Sequence, residues 1–105
     1  MPVDGQARYD EIADELATRD PAVALGKMFG IPCVKRNGKA GIGFYKGEMV
    51  IKLPDETHRQ GALALQGAQL FDPMGGRPMR EWVQVPATHA DKWPMLAALA
   101  IEALP

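Results

Sequence analysis

Residues Ile31 to Leu53 read IPCVKRNGKAGIGFYKGEMVIKL, and two turn signals, Asn37-Gly38 and Lys46-Gly47, divide that stretch into three. Asn-Gly suits a two-residue type I′ turn, because both central residues need positive φ, which Gly adopts freely and Asn tolerates. Lys-Gly is a weaker form of the same signal. A tight turn at Asn37-Gly38 sets Cys33 opposite Ile42 and Ile31 opposite Phe44. A tight turn at Lys46-Gly47 sets Ile42 opposite Ile51 and Phe44 opposite Met49. One face then carries Ile31, Cys33, Ile42, Phe44, Met49, Ile51 and Leu53. A slip of one residue would scatter this set over both faces, so the apolar pattern itself specifies a register. The stretch predicts a three-stranded antiparallel meander with one apolar side.

Amphipathic segments flank the meander. Over residues 5–19, Tyr9, Ile12, Ala13, Leu16 and Ala17 fall on one helical stripe, with Asp4 as N-cap and Pro21 as terminator. Residues 23–29 are apolar but short and fit a helical turn or a strand. Pro54-Asp55-Glu56-Thr57 starts a second helix that runs to about Gln66, with Gly67 past its end. Short strands are predicted over 68–72 and 80–85, and the loop from Asp72 to Met79 between them is rich in Pro and Gly. The last helix begins near Trp93-Pro94, where proline is tolerated in the first turn. Its stripe is Trp93, Leu96, Ala97, Ala100, Ile101 and Leu104, with Met95 and Leu99 apolar beside it. The pattern predicts an α+β fold of two layers, an antiparallel sheet of about five strands with helices on one face. The expected order is α-β-β-β-α-β-β-α, with room for one more short element over 23–29. No linker or repeat divides the chain, so residues 1–105 read as a single domain.

The net charge of −1 conceals a segmental pattern. Residues 1–20 carry six acids against two bases, residues 27–52 six bases against one acid, and residues 55–105 six acids against four bases. The meander separates Lys35, Arg36 and Lys39 at one end from Lys46 at the other, which breaks any continuous basic stripe. Solvated turn lysines, rather than a nucleic-acid surface, are the expectation. The acidic first 20 residues lack the apolar core of a secretory signal, and the longest apolar run, Met95 to Ile101, is too short to span a bilayer. A soluble cytoplasmic protein without membrane contact is expected.

Chemistry-bearing residues are sparse. The chain has one cysteine, two histidines and no serine, which excludes a serine nucleophile and an internal disulfide. Cys33 is expected inside, as a small hydrophobe. His58 and His89 have no second His or Cys at ligand spacing, so neither a metal nor another cofactor is expected. Gly41 and Gly43 are placed on the open face of the central strand, where they permit coiling or a close approach. In the Asp72–Met79 loop, Gly75 and Gly76 beside Arg77 could form a nest of backbone amides for an anion. The alternative is that Arg77 pins its own loop.

Taken in order, Lys27-Met28-Phe29-Gly30, Asn37-Gly38-Lys39, Val50-Ile51-Lys52-Leu53-Pro54, Gly67-Ala68 leading to Phe71, and Gly76-Arg77-Pro78-Met79-Arg80-Glu81-Trp82-Val83-Gln84-Val85-Pro86 resemble the N-terminal domain of the TfoX competence-regulator family. The resemblance covers about residues 5–104. It implies a two-layer α+β fold similar to the YjbR-like and secretion-chaperone-like proteins, and it implies no catalytic residues. The leading expectation is a non-enzymatic protein-interaction or regulatory module. The alternative is a small-ligand or anion binder using Arg77, Gly75, Gly76 and Lys52 with the basic hairpins. A homodimer or other protein partner is expected. Its interface would lie on the flank of the last helix, at Met95 and Leu99, and on the open sheet face, at Val34, Val50 and Tyr45, where apolar residues outnumber charged ones.

Overall fold

In the computed structural model, residues 4–73 and 75–104 are described. The elements are α1 (Gly5–Arg19), β1 (Val23–Met28), β2 (Ile31–Arg36), β3 (Lys39–Tyr45), β4 (Glu48–Lys52), α2 (Glu56–Leu63), β5 (Gln69–Phe71), β6 (Met79–Val85), a 3-10 turn (Ala87–His89) and α3 (Trp93–Glu102). One six-stranded antiparallel sheet runs in the order β1-β2-β3-β4-β6-β5. The ambiguous stretch at 23–29 is thus the first strand, and the two-layer α+β architecture stands with six strands rather than five.

Local signals place most of the boundaries. The Asp4 carboxylate accepts from Ala7 N–H at 3.2 Å and caps α1. Asp55 caps α2 in the same way, accepting from His58 N–H at 3.0 Å. That helix ends at Leu63, capped by Ala64, three residues short of the expected end. Gly67, at φ 86°, turns the chain into β5 instead of closing the helix. Pro94 occupies the first turn of α3.

Three hairpins share one turn design: Phe29-Gly30 at φ 50° and 78°, Asn37-Gly38 at 51° and 82°, and Lys46-Gly47 at 49° and 81°. All three have the two positive φ values of type I′. The Lys46-Gly47 hairpin has the expected register, with Ile42 opposite Ile51 and Phe44 opposite Met49. The Asn37-Gly38 hairpin keeps its register only for two pairs, Arg36 with Lys39 and Lys35 with Ala40. Beyond them β3 carries one extra residue, Gly41, so Val34 pairs with Ile42 and Cys33 with Gly43. This corrects the predicted faces: Val34, not Cys33, shares the helix-side face with Ile42.

The cause is α3. A Cβ on Gly41 would stand 2.9 Å from Ile101 Cδ1 and 3.0 Å from Leu104 Cδ1. The bulge turns this bare backbone toward the helix and lets α3 close on the sheet. Gly41 therefore faces the helix layer, whereas Gly43 faces away, with Val50 Cγ2 3.1 Å from where its Cβ would be. The helix-side core holds the full stripe of α3 from Trp93 to Leu104, with Tyr9, Ile12, Ala13 and Leu16 of α1. The sheet contributes Val34, Ile42, Met49, Ile51, Leu53, Val83 and Val85. Arg36 ties its edge: Nε lies 3.1 Å from Asp20 Oδ2, and Nη1 donates to the Leu104 carbonyl at 2.9 Å.

The opposite face is not the open apolar surface expected. Val50, Phe71 and Trp82 are buried there as a second cluster, with Met28, Ile31, Ala40, Tyr45 and Met79 against it. Phe71 meets Tyr45 edge-on at 5.1 Å between ring centres. Strand coiling, not a helix layer, buries this side, because the β5–β6 pair brings its own aromatic residues over β3 and β4.

Ile51→Ala should cost about 2–5 kcal/mol, and Gly41→Val about 1–3 kcal/mol through overpacking against Ile101 and Leu104. Gly61→Ala, where a new methyl meets nothing within 4 Å, should instead stabilise α2 by about 0.5–1 kcal/mol. Urea denaturation of the three variants checks the signs, and a neutral Gly41→Val would contradict the helix contact.

Candidate functional site

The glycine loop after β5 is organised by Asp72. Its Oδ2 accepts from Gly76 N–H at 2.8 Å and its Oδ1 from Arg77 N–H at 3.3 Å. Gly75 and Gly76 take φ of 72° and 96°, which lets the chain double back over the carboxylate. The amides expected to receive an external anion therefore already hold one from their own chain. That corrects the anion nest. The Arg77 side chain is exposed and has no hydrogen-bond or ion-pair partner among the described residues, so its backbone rather than its guanidinium pins the loop. Met74, within the same loop, lies outside the described residues. Lys52 pairs with Trp82 on the sheet and does not converge with Arg77 on a common site.

Asp72 and Pro78 form one wall of an open cleft of about 590 Å³. Tyr45 and Lys46, at the β3–β4 turn, form another wall, and Gln69, Leu70 and Gln84 complete the lining. Gln69 and Gln84 are direct partners across β5 and β6. Gln84 is the one buried polar side chain among the described residues, at 8 % exposure. Its Nε2 donates to Glu48 Oε1 at 2.6 Å. Lys46 Nζ lies 5.2 Å from the centre of the Tyr45 ring. Sequence reading missed both glutamines, because an isolated Gln on an alternating strand has the pattern of a wet sheet face. Only the coiled sheet shows that this position is buried.

The predicted interface residues separate into two groups. Met95 is 61 % exposed and Leu99 half-buried, and both line a groove of about 340 Å³ between α2 and α3. Ala62, Leu65 and Leu96 supply more of its apolar lining, with Thr57, His58 and Lys92 as its polar part. Val34 and Val50 are fully buried in the two cores, and Tyr45 is half-buried against Phe71. These three do not form an exposed patch, since the bulge turns Val34 inward and the β5–β6 pair covers the sheet. A different apolar surface was missed at β1, where Leu25 is 54 % and Phe29 66 % exposed.

Burial pushes the Cys33 thiol up, with Lys35 opposing it, and the side chain is 1 % exposed. Burial, then the proximity of Cys33 and Asp10, drives the Tyr9 phenol well above its ordinary range. His89 Nε2 lies 2.8 Å from the Gln66 carbonyl and braces the segment before β5. Among the described residues no group of three or more His, Cys, Asp or Glu is gathered to hold a metal ion, and no helix is long and apolar enough to cross a membrane. Comparison with protein-family models, curated proteins and solved structures returned no match.

Asp72→Ala should accelerate amide exchange at Gly76 and Arg77 while leaving the β2–β3–β4 amides protected. Arg77→Ala should change stability by no more than about 0.5 kcal/mol, as expected for an unpaired surface side chain. Native Cys33 should react slowly with a small disulfide reagent and rapidly after unfolding; fast native labelling would contradict its burial.

Proposed function

We propose that this chain is a non-enzymatic protein-interaction module whose first partner is a second copy of itself, joined along β1. The observation that carries this reading is the exposure of Leu25 and Phe29. They are two of the three large hydrophobic side chains exposed among the described residues, and both lie on one edge hairpin. As the terminal strand of the sheet, β1 has a strand neighbour on one side only. Its outward amides and carbonyls form a template for another strand. Phe29 sharpens the argument. A bulky residue at φ 50° is sterically disfavoured, and at 66 % exposure its ring gains little packing within the chain in return.

Antiparallel pairing of two β1 strands about a two-fold axis continues the sheet and repeats each contact twice. Charge favours the same arrangement. Lys27 is exposed on the side of the strand that carries Leu25, and Asp10 and Asp14 of α1 border the cleft lined by Leu25 and Gly26. In the paired arrangement Lys27 of one copy approaches these acids of the other. The groove at Met95 and Leu99 is left free, because α2 packs on β6 and α3 on β3 and β4, away from β1. It is the second surface through which such a module would engage a different protein.

Light scattering and sedimentation up to about 100 μM should give a mass twice the 11.4 kDa of the chain, falling on dilution. Leu25→Lys combined with Phe29→Asn should yield a monomer without loss of fold stability, since Asn tolerates the turn conformation better than Phe. Lys27→Glu should weaken association, and Asp10→Lys with Asp14→Lys should restore it. A wild-type mass of one chain throughout that range would refute the β1 interface.

A further inference from the structure

We infer that the cleft of about 250 Å³ between α1 and the β1–β2 hairpin is a binding site for a small primary amine, taken up as its ammonium ion. The residue that carries this is Tyr9. Its side chain is 3 % exposed, its ring is held against Phe44 at 5.3 Å between centres, and its hydroxyl is buried with no hydrogen-bond partner among the described residues. A buried hydroxyl left unpaired costs stability, so a position that keeps one calls for a partner from outside the chain. Tyr9 lines the cleft, and the two ionisable groups that act on its phenol, Cys33 and Asp10, line it as well, so the hydroxyl end of the ring faces into it.

The rest of the lining sets the class. Asp10 and Asp14 lie one turn apart on a single face of α1, and both border the cleft. Like charges at that spacing work against the helix, and a cation between them relieves the repulsion. Asp10 accepts from Gln6 Nε2 at 3.0 Å and keeps capacity for more, while the Asp14 carboxylate has no partner among the described residues. Burial keeps the Tyr9 phenol protonated, so its oxygen brings lone pairs without a charge. Two carboxylates and a phenol oxygen are acceptors to match the three N–H donors of a primary ammonium, which itself accepts nothing. No lysine or arginine among the described residues lines the cleft. Ala13, Leu25 and Pro32 supply an apolar wall for a short carbon chain. One chain suffices for this site, so it does not rest on pairing along β1. In that pairing the Lys27 ammonium of the other copy approaches the same acids, and a free amine would compete with it.

The test is an NMR titration of the full chain with ethylamine and n-butylamine at neutral pH, at a protein concentration where sedimentation shows single chains. Butan-1-ol, with the carbon chain but no charge, and tetramethylammonium, with the charge but no N–H donor, serve as controls at matched ionic strength. At least one amine should give saturable shifts at the amides of Asp10, Asp14 and Gly26, with millimolar affinity. Tyr9→Phe and Asp14→Asn should each weaken binding about tenfold, the weight of a lost hydrogen bond to a charged group. Thermal unfolding separates the site from the fold: Tyr9→Phe removes an unpaired hydroxyl and keeps the ring, so its Tm should be unchanged or higher. Four results would overturn the assignment. They are no saturable shift from either amine up to about 50 mM, equal shifts from butan-1-ol or tetramethylammonium, undiminished amine binding by Tyr9→Phe, or a lower Tm for that variant, which would show the hydroxyl already paired by a buried water. Because the site lies within one chain, this titration and the mass measurement succeed or fail separately.

Discussion

The contact on which this structure depends is the close approach of α3 to β3 at Gly41. Two side chains from the end of the helix, Ile101 and Leu104, occupy the space where any other residue would carry its Cβ. Closing that gap brings the whole α3 stripe onto the sheet, including Trp93, which is fully buried. It also forces the bulge in β3, which decides which side of β2 faces the helices. Arg36 then fastens the three segments that meet there, bonding Asp20 after α1 and the Leu104 carbonyl after α3 from its place on β2. A partly buried guanidinium that bonds two separate segments at once fixes geometry more firmly than a fully exposed ion pair, whose contribution is commonly below about 1 kcal/mol.

With the helices committed to one face, the other face has to be closed by the sheet itself. Twist does this. The β5–β6 pair carries Phe71 and Trp82 over Val50, with ring centres 6.5 Å apart, and the Tyr45 ring completes the cluster. The closure is incomplete beyond Gln84, where polar side chains replace aromatic ones across β5 and β6. The polar cleft is therefore a direct product of the curvature that buries the small aromatic core.

The exposed features are segregated by the same architecture. One end of the sheet is β1, an edge strand that α1 packs against on one face and that carries the exposed Leu25, with the exposed Phe29 in the turn after it. The helix layer over the central and distal strands carries the apolar groove at Met95 and Leu99. The far face holds the polar cleft. Pairing along β1 would leave both other surfaces accessible. Burial of Cys33 and Tyr9 moves both groups away from their reactive, ionised forms.

Much of the fold is written in local pattern. The Asp4 and Asp55 caps, Pro94 in the first turn of α3, the buried stripes of α1 and α3, and the Lys46-Gly47 register all follow from neighbouring residues and elementary backbone preference. Where sequence reading fails, the deciding partner is distant in the chain. The strand at 23–28 needs β2 beside it before its short apolar run has a meaning. Its turn escapes notice because Phe is a poor residue for positive φ. The glycine loop looks like an open anion nest until Asp72 is seen folded into it. Val34 and Val50 read as surface because a one-residue bulge and the return of β5 over the sheet leave no mark in periodicity. The sequence by itself determined most of the elements, the helix N-caps and the helix stripes, since these depend on contacts within a few residues. Only the tertiary structure decided which face each β2 residue joins, where the polar cleft opens and which strand edge is bare, because each is set by packing between segments tens of residues apart.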